Sequence, residues 1–354
     1  MRGAIKLFKI MGISVEMHIS FLILPFFFWL MYGWKGIFII FAIFTCVAAH
    51  EFSHSMVAKK YGINVDRITL LPIGGVANMR SLPETPTQEL MISIAGPLFN
   101  IVLTVILFYP LKILLGSYHL FHPDPLTWSG AVAYAYWVNP VLAGFNLIPA
   151  FPMDGGRILR AILARKFSYM KATKIAVNLG HGFALLFAFW ALSMRPPNFI
   201  LLFIALFIFV AASQEESIAS MKTTLGGIRV KEVLTKEFYT LSPDASIAEV
   251  LNLILHSHQE DFPVVAEDKL LGFLPREKII YALHEKHLDK KVSELMIVDD
   301  LPILSGDEYL YSAYNKMENS KLKALPVVEN GKLLGIITLE DVSRIYSLFS
   351  KGEI

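Results

Sequence analysis

The chain has 354 residues, enough for two or three domains, and 55% of them are hydrophobic. Together with a mean hydropathy of +0.53, this composition excludes an ordinary soluble protein. The formal net charge is only +2, and the absence of any run of like charges predicts no nucleic-acid partner. The single cysteine, Cys46, excludes an intrachain disulfide and a metal site built from cysteines.

The hydrophobic residues are concentrated in the first part of the chain. Residues 1–213 contain long uncharged runs, whereas residues 214–354 have the composition of a soluble α/β protein. We therefore predict a transmembrane domain at 1–213, a linker at 214–228 and a soluble module at 229–354.

Six apolar stretches are predicted to cross the membrane as helices. They are, approximately, residues 13–32, 36–58, 90–115, 128–149, 175–194 and 197–212. The first follows basic residues and resembles a signal peptide in outline. It lacks a cleavage pattern of small residues, so we predict that it remains as an uncleaved span.

Lysine and arginine are distributed unevenly among the segments that connect these spans. Thirteen lie on one side, at 2–9, 59–80 and 157–174, and the other side has Lys35, Lys112 and Arg195. Basic segments remain preferentially in the cytoplasm. We therefore predict a multi-pass protein of the cell membrane, embedded in the lipid bilayer, with both termini and the soluble module in the cytoplasm.

The second predicted span contains the sequence VAAHEFSHSM, from Val47 to Met56. Residues four apart share one face of a helix, so His50 and His54 can bind one ion while Glu51 reaches a neighbouring water. Neutral imidazole is a ligand that zinc prefers. Such a short pattern can occur by chance, but three ionisable groups in a lipid-embedded helix are costly and functional by default.

Two further segments are predicted to lie at the membrane surface. Asp66–Met79 combines β-branched residues with Pro72 and a glycine pair, which predicts a short β-hairpin. Its free edge could pair with an extended peptide, or the hairpin could be purely structural. Arg157–Lys166 alternates basic and apolar residues at helical spacing, which predicts an interfacial helix with an anchoring role.

A catalytic zinc site needs a third protein ligand and an open fourth position. The segment NLIPAFPMDGGR, which begins at Asn146, offers Asp154. Pro149 and Pro152 end the fourth span, and the glycine pair after Asp154 would let the chain reverse and aim the carboxylate at the metal. Asp154 could instead cap the next helix. Asn146 could hydrogen-bond another helix or donate to the oxyanion of a tetrahedral intermediate.

The soluble half contains an internal repeat. The sequences FPVV and KLLG, beginning at Phe262, recur as LPVV and KLLG beginning at Leu325, an offset of 63 residues. Each copy has the pattern of a strand, a helix, two strands and a helix. Two similar α/β units are therefore predicted, at 229–287 and 288–350.

In these motifs the chain resembles the site-2 proteases, intramembrane zinc metalloproteases, and most closely the archaeal and bacterial members with CBS domains and no PDZ domain. HEFSH matches the family's HExxH motif, and NLIPAFPMDGG matches its Asn-to-Asp-Gly motif. GPLFN at 96–100 matches a glycine motif that lets helices pack closely around the site. The resemblance implies one zinc ion per chain, with these residues: His50, His54 and Asp154 as ligands, Glu51 as general base, and Asn146 positioning the substrate or transition state.

The chemistry of these residues and the resemblance predict the same reaction. Glu51 would take a proton from the water that attacks a peptide carbonyl and pass it to the leaving amine. The expected substrate is a transmembrane protein, cut within or near a membrane segment that must unwind locally. The alternative is a CBS-regulated membrane metal transporter, but the first, third, fifth and sixth spans have no Asp or Glu within their cores to form a path.

The repeat resembles a tandem CBS pair, a module that often binds adenine nucleotides and that would regulate the protease. In the second copy, Thr338–Asp341 matches the family's ribose and phosphate motif, in which Asp341 would bind the ribose. The first copy has Pro275–Lys278 there and lacks the aspartate, so at most one ordinary site for ATP or AMP is expected. A purely dimerising role, which would make the protein a homodimer, is the alternative.

The predicted fold is therefore a polytopic α-helical membrane domain followed by a soluble α/β tandem CBS module. The membrane domain is expected to have six transmembrane helices and a small membrane-associated β-hairpin.

Overall fold

The computed structural model describes residues 3–72, 74–79, 83–257, 259–267 and 269–350. The chain divides into two units, Met1–Ser217 and Ile218–Ile354. The division falls within one continuous helix, Phe199–Leu225, so the predicted linker begins in helical structure.

Helices form the framework of the first unit. They are α1 (Ile23–Tyr32), α2 (Trp34–Lys60), α3 (Pro86–Phe121), α4 (Trp128–Asn146), α5 (Asp154–Leu163), α6 (Tyr169–Ser193) and α7 (Phe199–Leu225). Four of the described helices, α2, α3, α6 and α7, are long and apolar enough to cross a membrane. The predicted helical membrane domain is therefore confirmed. Helices α1 and α4, which coincide with the other two predicted spans, fall outside that group, and the count of six remains a prediction.

The first predicted span is wrong at its start. Residues Ile13–His18 form a strand, β2, which pairs with β1 (Ala4–Ile10), and helix α1 begins only at Ile23. Ile13 and Val15 are buried and alternate with half-buried polar residues. This alternation has the period of a strand, and here it decides the structure despite the high apolar content of the whole run.

A four-stranded sheet packs against the helices, with the strand order β1-β2-β3-β4. Strands β3 (Val65–Leu71) and β4 (Gly74–Met79) are antiparallel, and β2 and β3 are parallel. The hairpin predicted at Asp66–Met79 is present, but as one half of this larger sheet. Buried Ile68 and Leu70 share a core with apolar side chains of α2. In the described part of the chain, β1 and β4 are the edges of the sheet.

Helix α3 begins and bends at residues whose chemistry accounts for both features. Thr85 and Gln88 form a capping box at its start, in which each side chain accepts a hydrogen bond from the backbone N–H of the other. Pro97 and Pro110 interrupt the intrahelical hydrogen bonds, and Gly116 has a φ of 72°. The result is a bent helix of 36 residues that contacts α2, α4 and α5 along its length.

The second unit consists of short helices and two strand pairs. Its elements after α7 are α8 (Val230–Val233), α9 (Ile247–His256), β5 (Phe262–Ala266), β6 (Lys269–Leu274), α10 (Arg276–His284), α11 (Leu310–Ser320), β7 (Ala324–Glu329), β8 (Lys332–Thr338) and α12 (Leu339–Ser350). Strands β5 and β6 form one antiparallel pair, and β7 and β8 form the other.

The two strand pairs are equivalent at the offset found in the sequence. Val264 of β5 and Val327 of β7 are 63 residues apart, and the register shifts immediately after each of them. Leu241 and Leu304, again 63 apart, form parallel bridges to these two valines. Each strand pair also has its own buried apolar core. The repeat predicted from the sequence is therefore confirmed.

Candidate metal centre

Helix α2 carries two buried histidines one turn apart. His50 is 3% exposed and His54 is 6% exposed. Their Nε2 atoms lie 3.1 Å apart, and the two rings meet edge to face at 82°. The spacing of four residues thus produces the shared face that a helix predicts.

Asp154 approaches this pair from a different helix. It is the first residue of α5, and its Oδ2 atom lies 3.2 Å from Nε2 of His50 and 3.1 Å from Nε2 of His54. The side chain of Asp154 is 17% exposed, whereas that of His50 is 4% exposed. The cluster is therefore closed on the side of the histidines and accessible on the side of the carboxylate.

The glycine pair after Asp154 has a different purpose from the chain reversal expected from the sequence. Gly155 and Gly156 are both helical residues of α5. A Cβ atom on Gly155 would lie 2.2 Å from the carbonyl oxygen of Ile148, and one on Gly156 would lie 2.6 Å from the carbonyl carbon of Ala150. The glycines are needed because the loop between α4 and α5 packs directly on the start of α5.

The orientation of both imidazoles is fixed by hydrogen bonds to helix α3. His50 donates from Nδ1 to Oδ1 of Asn100 over 2.8 Å, and His54 donates from Nδ1 to the carbonyl of Ile92 over 2.6 Å. Asn100 in turn donates from Nδ2 to Oδ1 of Asn139 on α4. Partners of this kind fix the tautomer of a ligating histidine, so that its other nitrogen presents a lone pair.

The three facing atoms form a donor set that suits a metal cation. With both Nδ1 hydrogens directed outward, the neutral rings of His50 and His54 present Nε2 lone pairs to the carboxylate of Asp154, an arrangement that a bound cation stabilises. Tetrahedral zinc has ligands at about 2.0–2.1 Å, which places those ligand atoms about 3.3 Å apart. The observed separations of 3.1–3.2 Å fit such a site. These residues could therefore hold one zinc ion.

Gly96 of α3 lies directly against the two imidazoles. A Cβ atom at this position would be 2.2 Å from Nε2 of His54 and 2.7 Å from Nε2 of His50. Only glycine leaves space for both rings, so the glycine motif at 96–100 is explained by contact with the metal centre as well as by helix packing.

Glu51 lies beside the cluster and next to the edge of the sheet. Its side chain is half-buried, and a Cβ atom on Gly75 of β4 would be 2.7 Å from its Cγ atom. Among the described residues, the structure records no hydrogen bond to the Glu51 carboxylate. The carboxylate is thus available to a water molecule or a substrate, and the close approach of β4 depends on a glycine.

Asn146 is the last residue of α4 and is half-buried. The structure records no hydrogen bond from its amide to another helix among the described residues. The amide lines a groove of about 530 Å³ that is otherwise apolar, formed with Phe145, Pro152, Met153, Phe203, Ile204, Phe207 and Ile208. Because Met153 directly precedes Asp154, this groove reaches the end of the loop that leads into α5.

The sequence predicts an interfacial anchoring role for Arg157–Lys166. This prediction is wrong for Arg157 and Arg160. Arg160 is only 5% exposed and donates from Nε and Nη2 to Glu89 at the start of α3. Arg157 donates from Nη2 to Glu215 of α7 over 2.7 Å. The alternation of basic and apolar residues marks a helix whose polar face meets acidic residues far away in sequence.

In the second unit, Thr338 and Asp341 contact each other at the start of α12. Asp341 is 5% exposed, and its Oδ2 atom accepts from the hydroxyl of Thr338 over 2.8 Å and from that of Thr235 over 3.3 Å. Its Oδ1 atom accepts from Arg344 over 2.6 Å. A ribose bound here would have to replace some of these contacts.

Comparison with known proteins decides the family. The model of Peptidase family M50 matches residues 38–189, and a zinc metalloprotease of Methanocaldococcus jannaschii is 38% identical over 368 residues, covering 100% of this chain and 99% of that protein. The chain belongs to peptidase family M50. Rip3 of Mycobacterium tuberculosis is 26% identical over 383 residues, covering 99% of this chain and 94% of its own. Among solved structures, the site-2 protease from Methanocaldococcus jannaschii is 42% identical, covers 60% of this chain and 95% of its own, and has a TM-score of 0.45.

The CBS domain model matches residues 230–285 and 292–348 of this M50 protein. The resemblance to site-2 proteases that carry tandem CBS domains is therefore confirmed. The M50 match contains all five residues predicted to act at the metal centre, and the second CBS match contains Thr338 and Asp341.

Sequence reasoning missed residues that make hydrogen bonds around the candidate metal centre of this M50 protein. From the sequence, Asn100 is only the last residue of a packing motif, and neither Asn139 nor Glu89 has a role. The available signal was chemical, because amides and carboxylates within or next to apolar helices need partners there.

Proposed function

We propose that this M50 protein is an intramembrane zinc metalloprotease that hydrolyses peptide bonds within or near the transmembrane segments of other membrane proteins. The observation that carries the proposal is a set of ionisable groups on one apolar helix of 27 residues, the buried His50 and His54 with Glu51 beside them. Asp154 of α5 lies against both histidines. Three such groups in one membrane-length helix are expensive to insert, and they converge with a fourth from another helix.

The metal ligands and Glu51 have different roles in the proposed reaction. His50, His54 and Asp154 would hold a zinc ion, which would supply a Lewis acid to polarise a carbonyl and to lower the pKa of water to about 7. Glu51 takes the proton from the attacking water and delivers it to the leaving amine. The side of the cluster at Asp154, which is partly exposed, is where water and the peptide can enter.

The substrate must expose its backbone before it can react. A transmembrane helix closes its own backbone hydrogen bonds, so the segment that is cut has to unwind. Edge strand β4 offers unpaired main-chain groups to such an extended segment. Because Gly75 of β4 lies against Glu51, a segment added to this edge would pass close to the general base.

The proposal is tested by incubating the purified protein in detergent with single-span membrane proteins, with and without a chelator. Cleavage that stops with chelator and returns with added zinc supports it. Tight zinc binding without cleavage of any substrate offered, together with zinc transport in vesicles, would support a transporter instead.

Asn146 is proposed to donate to the oxyanion that forms during the attack. Its amide has no recorded partner among the described residues, and Asn146 lines the groove beside the loop that leads to Asp154. We expect Asn146→Ala to lower the rate of cleavage by about 10²–10³-fold, because one oxyanion donor contributes about that much. Single-turnover rates would measure the loss. An unchanged rate would leave Asn146 with a role in helix packing only.

The CBS pair is proposed to bind ATP or AMP near Thr338 and Asp341 and to regulate cleavage. The end of α7 is built into the core of the second unit, where Leu225 is buried together with Val342 of α12. Tyr346 of α12 also donates to the hydroxyl of Ser220 on α7 over 3.1 Å. A nucleotide that moves the start of α12 would therefore act on α7, which continues into the first unit.

We expect Asp341→Ala to remove the response of cleavage to ATP or AMP while zinc binding stays intact. The nucleotide can shift the protein only by as much as its affinity differs between two arrangements, so binding and response should be lost together. Calorimetry measures the binding and the cleavage assay measures the response. The exposed Asp289→Ala is the matched control. Nucleotide binding without any change in rate would leave the pair with an assembly role, such as homodimer formation.

A further inference from the structure

Helix α3 orients the two histidines of the metal centre from two points along its length. The carbonyl of Ile92 accepts the hydrogen bond from His54, and Asn100, two turns later, accepts the one from His50. The recorded partners of the Asp154 carboxylate among the described residues are the two histidines themselves. The position of Asp154 must therefore be set by the placement of its helix, α5.

The contact that places α5 is made by a buried arginine. Arg160 donates from both Nε and Nη2 to the Glu89 carboxylate at the start of α3, and each of these two residues is 5% exposed. Its third nitrogen, Nη1, lies 3.4 Å from Oε2 of Glu215. The guanidinium also lies over the rings of Phe151, at 4.7 Å, and Tyr169, at 4.9 Å. The N–H groups and the faces of the guanidinium are thus in contact with neighbouring side chains, which restrict Arg160 to one position.

The same helix, α5, connects this contact to the metal centre. Asp154, Arg157 and Arg160 follow one another at intervals of three residues, so Arg160 lies only about 9 Å along the helix from Asp154. Arg157 donates to the other oxygen of Glu215, which makes the cluster two arginines and two glutamates with no net charge. A helix of ten residues transmits a displacement of Arg160 directly to Asp154.

Stability alone is a weak reason for such a pair. Removing two charges from water costs about as much as their attraction returns, and apolar residues of similar volume often stabilise a protein better. What an arginine that donates from two nitrogens to one carboxylate oxygen provides is a fixed geometry.

We propose that the Glu89–Arg160 pair is a positioning device for the metal centre. It holds α5 on α3, the helix that already orients both histidines, and so sets the distance of Asp154 from them. The inference rests on the proposed zinc site. It assigns to Glu89 and Arg160 a role in metal affinity that neither would have as a purely structural pair.

The test uses two substitutions that conserve charge in the full-length protein. Arg160→Lys keeps the cation but lacks the planar guanidinium that donates from Nε and Nη2 to Oε1 of Glu89 and from Nη1 to Glu215. Glu89→Asp keeps the negative charge but shortens the side chain by one methylene group, which moves the carboxylate away from Arg160. We expect both variants to bind one zinc ion per chain about 10–100-fold more weakly than the wild type in competition with a chelator, as found for groups that orient ligands.

Cobalt substitution provides a second readout that a purely structural pair would not change. The visible absorption of bound Co²⁺ depends on the geometry of its ligands, so the spectrum should differ between the wild type and Arg160→Lys. The matched control is Arg67→Lys, because Arg67 pairs with Glu16 across the sheet over 3.9 Å and its side chain is 38% exposed. This control should retain the affinity and the spectrum of the wild type.

The possible results separate the inference from the proposed function. Wild-type zinc affinity and an unchanged cobalt spectrum in both variants would overturn the inference. So would a loss of zinc that only follows the fraction of unfolded protein, measured by circular dichroism in the same samples. A wild-type chain that binds no zinc would instead overturn the proposed function itself.

Discussion

Replacing Glu51 with glutamine should abolish peptide cleavage and leave one zinc ion bound per chain. Glutamine has nearly the same shape, so the close packing of this side chain against Gly75 can be retained. It cannot accept a proton from water. General base catalysis contributes about 10²–10⁴-fold to a rate, and a loss of at least that size is expected.

The measurement combines cleavage rates and zinc content in the same preparation of Glu51→Gln. Glu84→Gln, an exposed glutamate outside the metal centre, is the matched control and should keep both. Turnover at the wild-type rate in Glu51→Gln would remove Glu51 from the role of general base. Loss of zinc would show that this residue also supports the metal.

Replacing Gly96 with alanine should strongly weaken zinc binding and therefore cleavage. The added methyl would lie 2.2 Å from Nε2 of His54 and 2.7 Å from Nε2 of His50, which are the atoms proposed to bind the metal. The imidazoles cannot move aside without breaking their hydrogen bonds to α3. We expect a decrease in affinity of at least about 10²-fold, more than the 10–100-fold of an orienting group.

Gly182→Ala is the matched control for this change. Gly182 also lies in a long apolar helix, α6, but a Cβ atom there meets nothing within 4 Å. Alanine favours a helix over glycine by about 1 kcal/mol, so this variant should be at least as stable as the wild type. Chelator competition on both variants measures the difference. Equal zinc affinity in the two would contradict the close packing of α3 on the histidines.

Features that depend on neighbouring residues could be predicted from the sequence. The spacing of His50 and His54 requires one helical face, and the structure places their Nε2 atoms 3.1 Å apart. The hairpin at Asp66–Met79 follows from its β-branched residues and its turn. The repeat in the second unit follows from two copies of one pattern, 63 residues apart.

Features that depend on residues distant in the sequence could not be predicted. Arg160 and Glu89 are 71 positions apart, and no local pattern indicates that the basic face of α5 meets an acid on α3. The strand at Ile13–His18 could not be recognised from the sequence because its apolar residues continue into the apolar helix α1. Even for Asp154, the sequence predicts the residue, but the reason for the following glycines appears only in the packing of the loop on α5.

The most direct test of intramembrane proteolysis by this protein is the position of the cut. Mass spectrometry of the fragments from a single-span membrane protein, incubated with wild-type protein and with Glu51→Gln in parallel, gives this position to the residue. We predict a zinc-dependent cut within or immediately beside the apolar segment, made by the wild type and absent with Glu51→Gln. Cuts confined to soluble regions far from the membrane segment, or made equally by both proteins, would contradict the proposed function.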